Sequence, residues 1–133
     1  MQGLDTNVLV RMIVDDDPVQ CAAAADLAAS LTATNPGYVN LITTAEFIWV
    51  LDKTYKFPSA TIIATLRQLI NTATLVFEGK SDIESALHDA DTTGAGLADA
   101  LIQRRNTRAS CTTTHTFDHK TARLAGMSLL PAP

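Results

Sequence analysis

Apolar positions along the chain follow two periods. Short β-branched or apolar runs bounded by turn residues predict strands over 1–5, 37–40, 74–77, 111–116 and 127–130. Longer stretches with apolar residues three and four apart predict helices over 6–14, 18–33, 41–55, 82–91, 97–108 and 118–124. A further helix begins at Ser59, with Ile62, Ile63, Leu66, Leu69 and Ile70 at helical spacing. Start signals support several of these. Asp17 before Pro18 suits a capped helix with proline at its first position, and Asn40 suits the cap of the next. Ser81 followed by Glu84 reads as a capping box. Helices separate most of the strands, so the sheet should be largely parallel with helices on both faces. The expected class is α/β, three-layered. In such sheets ligands collect beyond the carboxyl ends of the strands.

With 133 residues the chain suits one domain, spanning 1–133 with 131–133 as a short tail without structure. Aromatic residues make up only 5% of it, so the core must be built from Leu, Ile, Val and Ala. Cys21 and Cys111 stand alone without ligand spacing, which argues against zinc and gives no sign of an oxidising compartment. No apolar run reaches the length of a membrane span and no signal-peptide pattern opens the chain, so a soluble cytoplasmic protein is expected. The net charge of −4 speaks against a nucleic-acid binder, but its distribution does not. Residues 100–133 hold Arg104, Arg105, Arg108, Lys120 and Arg123 against one acid, Asp118. These cations either solvate a helix face or form a phosphate-binding patch.

Four acids stand in otherwise apolar or hydroxyl-rich runs: Asp5 in Leu4-Asp5-Thr6-Asn7, Glu46 in Ala45-Glu46-Phe47-Ile48-Trp49, Asp99 in Leu97-Ala98-Asp99-Ala100, and Asp118 after Thr116-Phe117. Each has a plain structural explanation. Asp5 and Asp118 can cap helices, and Asp99 can answer a helix dipole. Glu46 can pair with Lys53, although its helical neighbours Ile42, Trp49 and Val50 predict a mostly apolar setting. Trp49 itself is expected in the core rather than as a platform for a base. Together the acids carry more weight than separately. Converging carboxylates cannot all stay ionised without a cation, and oxygen-only ligands suit Mg²⁺ or Mn²⁺. Asp15-Asp16-Asp17 lacks the glycine and downstream glutamate of a calcium loop, and His115 with His119 straddles a strand-to-helix change. No phosphate-binding glycine motif or nucleophile elbow occurs.

The four runs, in this order across the whole chain, resemble the PIN domain, and among PIN domains the VapC-type toxins of toxin–antitoxin pairs. The resemblance implies a Mg²⁺- or Mn²⁺-dependent endoribonuclease that cleaves RNA phosphodiesters with a metal-activated water. It implies Asp5, Glu46, Asp99 and Asp118 as catalytic and metal-holding residues, with Asn7 and Thr116 supporting them. Arg104, Arg105 and Arg108 are then candidate RNA contacts. A homodimer and a small antitoxin that covers the site are the implied protein partners. One departure stands out: relatives often carry an acid three residues before the Asp99 equivalent, where this chain has Gly96. A PIN-like module that binds nucleic acid without cutting it is the alternative. A dehalogenase-like phosphatase is disfavoured because Asn7 stands where its second aspartate belongs.

Overall fold

Each parallel strand pair needs a crossover, and the helices of this chain supply most of them. In the computed structural model, which describes residues 1–132, β1 (Gln2–Gly3), β2 (Gly37–Val39) and β3 (Leu75–Phe77) form a parallel sheet in that order. Its register pairs Gln2 with Gly37 and Tyr38 with Val76. The helices α1 (Thr6–Arg11) and α2 (Pro18–Ser30) connect β1 to β2, and α3 (Leu41–Lys53) and α4 (Ser59–Ile70) connect β2 to β3. The chain then runs through α5 (Lys80–Thr93) and α6 (Leu97–Arg108) to a second parallel pair, β4 (Thr114–Thr116) with β5 (Met127–Leu129). A single 3-10 turn, Thr121–Arg123, lies between those two strands. The layered α/β class expected from the pattern is the class observed. Pro133, the end of the expected tail, lies outside the described residues.

The core is aliphatic, as the composition requires. Leu9, Val10, Val39, Phe47, Leu51, Leu66, Ile83 and Leu87 are almost wholly shielded from water. On α3 the buried positions are Thr43, Thr44, Phe47, Ile48 and Leu51, one stripe at helical spacing. Asn40 caps that helix by accepting from the Thr43 N–H at 2.9 Å. Asp17 does the same for α2 through the Gln20 N–H at 3.0 Å, ahead of Pro18. The expected Ser81 cap is not formed. Helix α5 starts earlier, from Gly79 in the left-handed region (φ 68°), a conformation open to glycine at little cost. The helix expected over 118–124 shortens to the 3-10 turn, because Asp118 ties the segment through local bonds described below.

Helices α5 and α6 pack against each other and are cross-linked by charge. Asp82, 5% exposed, accepts from Arg108 Nε and Nη2 at 2.7 Å each and from Arg105 Nη1 at 2.8 Å. Hydrogen bonding from Arg108, more than any other cause, holds the Asp82 carboxyl below the ordinary carboxylate range. Its contribution to stability is therefore complete above the unfolded value of about 3.9 and is lost as pH falls through the lower folded value. Because both guanidinium groups are partly solvated, Asp82→Ala should cost about 1–2 kcal/mol at neutral pH. Urea denaturation should show that gap closing as the pH drops below about 4.

Candidate active site

Strand β1 delivers Asp5 to the start of α1, where its Oδ1 accepts the Val8 N–H at 3.0 Å. The capping role read from the sequence is thus real, and Asp5 remains exposed. The next residue, Thr6, turns its hydroxyl the other way and donates to Glu46 Oε2 at 2.9 Å. That bond joins α1 to α3 and sets Glu46 beside the Asp5 end of the sheet. Asn7 and Asp5 line an open cleft of about 350 Å³ together with Val8, Arg11 and Gln20.

Glu46 does not sit in an apolar setting, contrary to expectation; it is exposed. Its helical neighbours Ile42 and Trp49 are apolar but are themselves 71% and 59% exposed, on the face of α3 away from the buried stripe. Lys53 does not pair with it; the Lys53 ammonium lies 3.4 Å from Asp52. The expectation that Trp49 belongs to the core fails for the same reason. Its indole lines a cleft of about 290 Å³ that also takes in Gly96 and Asp99.

Asp99 lies in the first turn of α6, half-buried. Its Oδ2 accepts from the Thr121 hydroxyl at 3.1 Å. Gly96 lies against the same oxygen: a Cβ there would be only 2.8 Å from it. Asp118 follows β4. Its N–H donates to Thr116 Oγ1 at 3.0 Å, and its Oδ1 accepts the Lys120 N–H at 2.8 Å. The Lys120 backbone N–H, with the Thr121 hydroxyl and N–H behind it, holds the Asp118 carboxyl below the ordinary range. The Thr121 hydroxyl thus links Asp99 to the turn that carries Asp118.

The four acids therefore stand as two pairs, each linked through a threonine: Glu46 to the Asp5 turn by Thr6, and Asp99 to the Asp118 turn by Thr121. Among the described residues no three His, Cys, Asp or Glu side chains come together closely enough to form a metal-binding group. The donors around the pairs are carboxylate and hydroxyl oxygens, the set a hard divalent cation takes. The Thr121 bond brings the segments of two carboxylates, Asp99 and Asp118, together. An excess of negative charge held this way is suited to a cation. His115 and His119 are exposed and take no part.

A family model for the PIN domain matches residues 4–127. The chain belongs to the PIN domain family. PIN domains are generally nuclease modules that act on nucleic acid and use divalent metals. No curated protein matches this PIN domain.

The arginines of α6 are engaged. Arg104 makes a two-pronged bond to Asp89 at 2.7 and 3.1 Å, and Arg105 and Arg108 share Asp82. Neither reading made from sequence, a solvated face or a patch open to phosphates, anticipated these partners on α5. Lys120 and Arg123, by contrast, make no ion pair among the described residues and flank Thr121. Sequence reasoning also passed over Thr6 and Thr121. Thr6 had a signal in its place directly after Asp5; Thr121 had one in being a hydroxyl among Ala122 and Leu124, in a segment whose apolar face is needed for the core.

Proposed function

We propose that this PIN domain is a Mg²⁺- or Mn²⁺-dependent endoribonuclease and the toxin of a toxin–antitoxin pair. One observation carries the reading: the Thr121 hydroxyl, in the turn that follows Asp118, donates to Asp99 on α6 at 3.1 Å and so links the segments that carry two of the acids. Carboxylates brought towards one rim repel each other, and a divalent cation removes that repulsion. Asp99 and Asp118, with Asp5 and Glu46 beside them, are the residues that would hold it. A divalent ion supplies charge neutralisation, polarisation of a phosphate oxygen and a more acidic water.

The chain's own residues do the remaining work. Thr116 fixes the turn that carries Asp118, Thr6 orients Glu46, and Asn7 offers an amide at the mouth of the cleft beside Asp5. Lys120 and Arg123 draw the RNA backbone towards Asp118 by long-range attraction. Arg104, Arg105 and Arg108 reach phosphates only with the N–H groups that Asp89 and Asp82 leave unused, for each guanidinium has five. The exposed Ile42, Trp49 and Ile102 on neighbouring faces of α3 and α6 support protein partners, a second copy of the chain and a small antitoxin. No helix among the described residues is long and apolar enough to cross a membrane. Action in the cytoplasm follows from RNA as the target.

The purified chain should cut single-stranded RNA when Mg²⁺ or Mn²⁺ is present and stop when EDTA is added, read as fragments on a denaturing gel. The separation of the acids into two pairs favours one alternative, a module that binds nucleic acid without cutting it. RNA retention in a gel-shift assay, with no fragments at any metal concentration, would establish that alternative and reject the nuclease.

A further inference from the structure

A carboxylate on a helix surface rotates among several positions, and a cation site gains from having it held in one. Asp99 is held by one hydrogen bond in a space left open by a glycine. Gly96 lacks the side chain that would occupy the space its Oδ2 fills, and Thr121 donates to that same oxygen. Thr121 is 2% exposed, so its hydroxyl cannot turn to water for a partner. It is also anchored. The Leu124 N–H donates to the Thr121 carbonyl at 3.0 Å, and the Ala122 N–H to the Asp118 carbonyl at 3.0 Å. A hydroxyl this fixed imposes its position on whatever it bonds.

We propose that Thr121 is a positioning residue, whose buried hydroxyl ties Asp99 on α6 to the Asp118 turn and so presents the two carboxylates as one unit to a divalent cation. The inference rests on the metal-dependent reading above and assigns this site a residue that the family pattern of acids does not include. Thr121 never touches the ion; it acts through Asp99 and Asp118. The side chain has the volume of valine and shares its hydroxyl with serine, so the two substitutions separate packing from hydrogen bonding.

Mn²⁺ binding to the full chain, followed by electron paramagnetic resonance, reads the effect without any substrate. Thr121→Val should weaken Mn²⁺ by about tenfold or more, the usual loss when an outer hydrogen-bond partner of a ligand is removed. Thr121→Ser should bind within about twofold of the natural chain, because it keeps the donor. A crystal structure of metal-free Thr121→Val should show the Asp99 carboxylate moved from its place against Gly96. Equal Mn²⁺ affinity in Thr121→Val and the natural chain, or a serine variant as weak as the valine one, overturns the inference alone. Absence of Mn²⁺ binding by the natural chain overturns it together with the metal-dependent reading.

Discussion

Asp99→Asn should reduce metal-dependent RNA cleavage by about 10²–10³-fold while leaving the protein folded. A divalent ion stabilises developing charge by several kcal/mol, and each 1.4 kcal/mol or so is a factor of ten in rate. The asparagine keeps the shape of the side chain and offers an amide oxygen to the Thr121 hydroxyl, so the contact at 3.1 Å has a replacement. What it lacks is the charge. Asp99 makes no ion pair among the described residues, so removing its charge breaks no salt bridge in the metal-free protein. The thermal midpoint of metal-free Asp99→Asn should therefore equal or exceed that of the natural chain. Asp5→Asn should behave alike, because asparagine caps a helix as well as aspartate does. Initial rates on a labelled RNA, alongside melting curves, check both statements. Activity within about threefold of the natural chain in either variant would remove that residue from the machinery.

The sequence disclosed these acids but not how they are arranged, and the difference is physical. Their settings follow from local pattern: Asp5 from the strand-to-helix change it caps, Asp99 from the start of a helix whose bounds, 97–108, match the apolar spacing. The same local pattern gave the Asn40 cap and the stripe of α4. Contacts between distant segments leave no such trace. Asp82 and Arg108 are 26 residues apart, Thr6 and Glu46 are 40 apart, and nothing in either period couples them. The misjudged placement of Glu46 and Trp49 shows a further limit. Apolar residues three and four positions away describe one face of a helix, but not whether that face is covered. On α3 the covered face is set by Phe47 and its stripe, and Ile42 and Trp49 fall outside it. Where turns compete with helices, as around Asp118, side-chain bonds to nearby N–H groups outweighed apolar spacing.

Phe47→Ala should lower the stability of the domain by about 3–5 kcal/mol, the usual cost of emptying an aromatic core site. Phe47 is wholly buried and is the largest of the side chains most completely shielded from water. A domain of this size has about 5–15 kcal/mol in total, so the loss takes about a third to a half of a middling value. The effect on function should take a distinct form. Phe47 lies on the buried stripe of α3 and anchors the helix that carries Glu46 and the exposed Trp49. Cleavage by Phe47→Ala should consequently fall with temperature-dependent unfolding, and be restored in part at about 10–15 °C, near the usual temperature of maximum stability. Asp99→Asn should keep its deficit at every temperature at which it is folded. Urea titration for stability and cleavage rates at two temperatures separate the two variants. If Phe47→Ala lost less than about 1 kcal/mol, α3 would not be anchored through this ring, and the placement of Glu46 would need another cause.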